Sequence, residues 1–243
     1  MSVDYSRLAA DYDAVRANEV VDRTFWLAAV REVGDVRPGE RVLDLGCGTG
    51  RFSRLLAETN PVVATDLSAD MLAASKEKGD FARVRGDAHR LPFRRNAFDA
   101  TIVIMVLHQI EDHAQVLEEI ARASRKVAIA TTDMGSRELG VLEEAFPSLL
   151  AIDRARFPPV ERLVAALRAA GFASVRREER TLRRSLPVAD QIDRVRRKYI
   201  STLDLIPRRE FEEGLRYLEA ELPRRYGDRY EASGRFTFLG AAR

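Results

Sequence analysis

Apolar positions change period several times along the chain, and each change predicts an element. Phe25, Trp26, Ala29, Val30 and Val33 recur at helical spacing, so residues 1–34 read as helical. Gly34 and then Pro38-Gly39 end that pattern. Strand-like and helix-like segments then alternate. Short apolar runs at Arg41–Leu45, Val62–Asp66 and Phe81–Arg85 predict three strands. Between them, Arg51–Glu58 predicts a helix with Phe52, Leu55 and Leu56 on one face, and Ala69–Lys78 predicts another with Ser68 as its N-cap. Phe98–Leu107 contains Ile102-Val103-Ile104-Met105-Val106, which is apolar on both faces. Such a run suits a central parallel strand covered by helices. Glu111–Ser124 predicts a helix and Lys126–Thr131 a fifth strand, so the whole alternation predicts a doubly wound, Rossmann-like α/β sheet.

The later part is less regular. Val160–Ala170 predicts a helix closed by Gly171, and Ala173–Arg180 an edge strand. Ile192, Val195, Tyr199 and Leu203 mark one amphipathic helix. Phe211, Leu215, Leu218 and Leu222 mark a second, with Pro207 suited to its first turn. The alternating segment Arg235–Leu239 predicts a final strand.

Composition narrows the classes. With 243 residues and 46% hydrophobic content, one domain with an elaboration is expected. No apolar run approaches the roughly 18 residues of a membrane span, so none is expected. The opening Met1-Ser2-Val3-Asp4-Tyr5 lacks the basic-then-apolar build of a signal peptide, so a cytoplasmic location is expected. The single cysteine, Cys47, excludes an intrachain disulfide and a thiolate zinc cluster. His89, His108 and His113 are too scattered to suggest a metal site. A net charge of +2 is too small to argue for nucleic acid. Residues 171–243 do hold 17 basic against 12 acidic residues, which fits either solvated helix faces or an acidic partner.

The candidate chemistry lies in Asp44-Leu45-Gly46-Cys47-Gly48-Thr49-Gly50, between a strand and a helix. Glycines there let the backbone turn sharply and approach a ligand, beside the positive end of the helix. A dinucleotide loop would place its third glycine three residues after the second, where Arg51 stands; here it is Gly50. No Gly-Lys-Ser/Thr follows, so a P-loop is excluded. Asp66 ends the second strand, where a carboxylate can accept from both hydroxyls of a ribose. Asp87, in Gly86-Asp87-Ala88, ends the third and could accept from an adenine amino group. Three such sites at neighbouring strand ends define one crevice for a nucleoside.

Together, Val42–Gly50, Val63–Leu72, Gly86–Phe93 and Phe98–Asp112 resemble the successive motifs of class I S-adenosylmethionine-dependent methyltransferases. They are most similar to the small-molecule group that includes the ubiquinone and menaquinone C-methyltransferases. The resemblance follows the motif order through about residues 1–180. It implies a seven-stranded sheet with an antiparallel last strand at residues 235–240, a core over 35–180 and a helical insertion at 187–226. It also implies S-adenosyl-L-methionine as cofactor and a small-molecule acceptor. Carried over by position, Gly46, Cys47, Gly48 and Gly50 would line the methionine part and Asp44 would face its ammonium. Asp66 would hold the ribose, Leu67 would pack on the adenine, and Asp87 with Ala88 would meet the adenine edge. Met105 and Val106 would sit near the sulfonium.

The opening Tyr5–Asp13 is similar to the family's lid segment, with Tyr12 the leading contact and Tyr5 next; an ordinary helix packed on the core is the alternative. His108, directly after the fourth strand, either accepts a proton from the acceptor or shapes the pocket. The place after that strand reads Met105-Val106-Leu107-His108 and not the Asn/Asp-Pro-Pro-Tyr/Phe of the enzymes that methylate exocyclic amines in DNA. A single cysteine also disfavours arsenic methylation. A cofactor-binding module without transfer, an NAD-dependent oxidoreductase, and an enzyme acting on RNA or protein are the competing readings. Oligomeric state is not legible.

Overall fold

The computed structural model describes Asp13 and residues 18–243. Tyr5 and Tyr12, and with them most of the expected lid, lie outside the described residues. Chain order among the described residues begins with α1 (Glu19–Val21), a π-helical turn (Asp22–Leu27) and α2 (Ala28–Gly34). The core then runs β1 (Val42–Leu45), α3 (Arg51–Ala57), β2 (Val62–Asp66), α4 (Ala69–Ser75) and β3 (Ala82–Arg85). It continues with β4 (Phe98–Ile104), α5 (His113–Ala123) and β5 (Ser124–Thr131). Three helices follow, α6 (Val141–Ala145), α7 (Leu149–Arg156) and α8 (Val160–Ala169). The last elements are β6 (Ser174–Pro187), α9 (Val188–Arg196), α10 (Arg208–Tyr226) and β7 (Arg229–Ala242).

The seven strands form one sheet in the order β3-β2-β1-β4-β5-β7-β6. The first five are parallel, and β7 is antiparallel to both of its neighbours. The doubly wound expectation is borne out, and so is the antiparallel last strand. The both-sided apolar run explains the centre. Ala100, Ile102 and Ile104 of β4 join the core under α2, α3 and α4, whereas Val103 joins the opposite core under α5 and α8. On the first face the helix backbone rests directly on the sheet. A Cβ placed on Gly240 of β7 would lie 1.8 Å from the Val33 carbonyl oxygen, so only glycine permits that approach. Phe25 and Trp26 meet Phe236 edge-on at ring-centroid distances of 5.8 and 4.6 Å.

Four expectations need correction. The helix marked by Ile192 to Leu203 stops at Arg196. Lys198 takes a left-handed turn (φ 53°), and Leu203 belongs to a separate 3-10 turn, Ser201–Asp204. Pro207 caps α10 from outside its first turn. The strand expected over 98–107 stops at Ile104, where Met105 turns left-handed. The last two strands are far longer than Ala173–Arg180 and residues 235–240; they pair in register over 14 residues each, Ser174 with Ala242 through Pro187 with Arg229.

That length matters for the site. β5 ends at Thr131, opposite Thr237 of β7. The β6–β7 ribbon therefore continues past the carboxyl edge of the parallel strands. Arg184, paired with Ala232, stands five residues beyond that end, about 17 Å at strand rise. At the ribbon's tip α6, α7, α9 and α10 share a third core, built on Phe146, Leu149, Val195, Leu203, Leu218 and Leu222.

Candidate active site

β1, β2 and β4 all end on one edge, and the chain leaves each of them through a tight turn. After β1, the Gly46 and Cys47 N–H groups both donate to the Thr65 carbonyl, at 2.8 and 3.1 Å, which ties the loop to β2. Gly46, Gly48 and Gly50 all have positive φ, at 70°, 54° and 76°. A Cβ on Gly46 would lie 2.5 Å from Val106, and one on Gly50 2.9 Å from Phe81 and Ser75; at Gly48 it would meet nothing within 4 Å among the described residues. So two glycines are required by the protein's own packing. Among the described residues Gly48 instead faces open space, a cradle in which a ligand could touch the backbone.

The walls of that cradle carry the expected residues. Asp66 Oδ2 accepts from Gly48 N–H at 2.8 Å and Oδ1 from Ser68 N–H at 2.9 Å, so the carboxylate is held at the loop's edge. Leu67 is 63% exposed, an apolar surface at the end of β2. Asp87 Oδ1 accepts from His89 N–H and Nδ1, at 2.9 and 2.8 Å. These bonds hold the Asp87 carboxyl below the usual range. The His89 ring is bounded by acceptors on both nitrogens, the Glu111 carbonyl being the other at 2.8 Å, which raises its pKa. Ala88 points its methyl into the core under α5.

Asp44 lies beneath the loop, 2% exposed, and accepts from Ser53 Oγ at 2.5 Å. Burial, with Asp66 adding negative charge nearby, pushes its carboxyl up to about 6. Cys47 is buried; burial and then the charges of Asp44 and Asp66 raise its thiol, so it stays protonated and offers no nucleophile. At β4's end Met105 adopts φ 55°, uncommon for a non-glycine residue. The turn that follows lays Val106 against Gly46 and presents His108 from a 3-10 turn, Leu107–Gln109. The His108 ring stacks on Phe157, 4.3 Å between centroids and 5° between planes. His113 Nε2 lies 2.9 Å from the Leu107 carbonyl and pins that turn.

Three contacts escaped the sequence reading. Thr49 Oγ1 donates to Asp13 at 2.7 Å, and Lys78 pairs with the same carboxylate at 2.5 Å, which fastens Asp13 beside the loop. Asp13 follows Tyr12 directly, so the opening segment was the available signal. Arg51 pairs with Asp22 at 3.1 Å, and Asp22 is 2% exposed. Apolar periodicity carries no trace of a buried acid.

Residues 43–130 match the family model described as a methyltransferase domain (Methyltransf_11). The chain is similar to demethylmenaquinone methyltransferase of Mycolicibacterium vanbaalenii, 41% identical over 102 residues, which cover 42% of this chain and 44% of the relative. It thus spans under half the length of that relative. Among solved structures, one described as a methyltransferase from an antibiotic biosynthesis pathway of Anabaena variabilis superposes with a TM-score of 0.73 at 22% identity, covering 92% of this chain and 98% of the other. A phosphoethanolamine N-methyltransferase 2 of Haemonchus contortus, solved with S-adenosyl-L-methionine, gives 0.64 at 20% identity, covering 98% and 57%. Residues 43–130 therefore match a methyltransferase domain, and the solved structures share the fold around it.

Proposed function

We propose that the protein transfers a methyl group from S-adenosyl-L-methionine to a small-molecule acceptor. The open left-handed backbone at Gly48, between the fixed Asp66 carboxylate and the exposed Leu67, carries this reading. An open backbone, a fixed carboxylate and an apolar wall suit an adenosyl group with a charged amino-acid tail. Asp66 would accept from the ribose hydroxyls, Leu67 would cover one adenine face, and the second Asp87 oxygen would take the amino group. Gly46, Cys47, Gly48 and Gly50 would line the methionine part through their backbone, with Asp44 supplying charge to its ammonium from below. The cofactor supplies a methyl on a cationic sulfur, already activated for in-line displacement. The chain's own task is then alignment and exclusion of water. Met105 and Val106 would border the reacting end. Where the acceptor must lose a proton, His108 is the base at hand, its ring fixed by Phe157.

A small acceptor agrees with the printed activity of the demethylmenaquinone relative and with a net charge of +2. No helix among the described residues is long and apolar enough to cross a membrane. Methyl-labelled cofactor incubated with a small-molecule extract tests the proposal. Label should enter a low-molecular-weight product with the wild-type protein and not with Asp66→Ala. Label recovered only in protein or RNA would overturn the small-acceptor reading, and cofactor binding without any transfer would favour a binding module.

A further inference from the structure

Three arginines stand beyond the crevice, on three different elements. Arg137 lies in the loop after β5, Arg184 on the projecting half of β6, and Arg194 on α9. Each has a buried Nε with no hydrogen-bond partner. Among the described residues none of the three donates a side-chain hydrogen bond or lies within ion-pair distance of a carboxylate. Orphaned, desolvated guanidinium donors are costly, because arginine keeps its charge.

They also converge. Arg194 lies over the Tyr199 ring, 4.5 Å from its centroid. Arg137 and Arg184 are both within electrostatic reach of Tyr199, and Arg184 is within reach of Arg194. Burial pushes the pKa values of Arg137 and Arg184 down, and the charges of Asp153 and Asp22 offset it only in part. Each nearby acid also serves another group. Asp22 pairs with Arg51, and Asp153 accepts from Thr202 Oγ1. Arg184 also senses Asp22 and Arg51, the first residue of α3, so the cluster adjoins the glycine loop.

We infer that Arg137, Arg184 and Arg194 form an anion subsite around Tyr199 that holds a carboxylate or phosphate group of the methyl acceptor. This rests on the methyltransferase reading and adds the acceptor's chemical class. Guanidinium forks match the oxygens of either anion, and a bound anion would supply the missing acceptors and charge together. The acceptor is therefore an acid or a phosphate monoester, and a neutral quinone ring alone would leave the cluster unmatched.

The test is titration of the full chain with inorganic phosphate and, separately, acetate at constant ionic strength, read by calorimetry. The proteins are wild type, Arg184→Gln, Arg194→Gln and, as an exposed control, Arg208→Gln, whose partner is Glu212. At least one anion should bind the wild type with a millimolar or lower Kd. Arg184→Gln and Arg194→Gln should each weaken it at least tenfold, about 1.4 kcal/mol. Arg208→Gln should stay within twofold, and S-adenosylmethionine affinity should stay within twofold in all four. Binding of phosphate alone assigns a phosphorylated acceptor; binding of acetate as well assigns a carboxylate. The inference is overturned if the wild type binds neither anion, or if both cluster variants bind as the control does. Two variants on separate elements keep the test readable should one misfold. Loss of cofactor binding by the wild type would instead overturn the proposed function.

Discussion

Replacing Gly48 with alanine separates a ligand-facing glycine from a packing glycine. At φ 54° an alanine pays left-handed strain of about 1–2 kcal/mol, yet its Cβ meets no atom of the described residues within 4 Å. For a domain of this size each kcal/mol lowers Tm by roughly 2–4 °C, so a drop of about 2–8 °C is expected. The new methyl would occupy the surface proposed to hold the cofactor. Forcing one methyl into a close contact costs about 1–3 kcal/mol, and 2 kcal/mol corresponds to about a thirtyfold loss of affinity. Gly46→Ala behaves oppositely, because its Cβ would lie 2.5 Å from Val106. That change strikes the fold first. The assay is a thermal melt of each variant alongside calorimetric titration with S-adenosylmethionine at a temperature where both are folded. A folded Gly48→Ala protein that binds within threefold of wild type would refute the reasoning. So would a melt lowered as far as that of Gly46→Ala.

Two further outcomes follow from the same geometry. Asp44 has a folded pKa raised to about 6 against an ordinary 3.8, so the native state holds its proton more tightly than the unfolded chain. Stability of the cofactor-free protein should fall as pH rises from about 4 to about 6, by up to about 3 kcal/mol, and stay lower above that window. Asp44→Asn should remove this component in urea unfolding at pH 4.5 and 7, and an unchanged pH difference would contradict it. Gly240→Ala, with its Cβ 1.8 Å from the Val33 carbonyl oxygen, should prevent α2 from seating on the sheet. It should lose the cooperative melt, and a Tm within 5 °C of wild type would count against the packing described.

The sheet was legible because its signal is hydrophobic. Ile102-Val103-Ile104 must be covered on both sides, and that alone places β4 centrally. The loop was legible because glycine spacing is a backbone constraint. The outer ribbon was not, because β6 alternates half-buried and exposed positions with charges on both, so apolar periodicity fades near Arg180. Tyr199 and Leu203 kept helical spacing across a break made by a left-handed lysine, Lys198, which no glycine or proline announces. Five-residue α6 is too short to show a period. Burial of the Arg184 and Arg194 guanidinium groups was not legible, since it depends on what the ribbon and α9 place around them. Phe157 meets His108 only through tertiary packing between two distant segments.

The claim at the centre is that the Gly48–Asp66–Leu67 crevice binds an adenosylated methionine. Calorimetric titration of the wild-type protein and Asp66→Ala with S-adenosylmethionine, and with NAD as comparison, tests it most directly. The wild type should bind one equivalent at micromolar strength and NAD not measurably. Asp66→Ala, lacking two charge-assisted bonds of about 1.5 kcal/mol or more each, should bind about a hundredfold more weakly. Equal binding by both proteins, or a preference for NAD, would contradict the account.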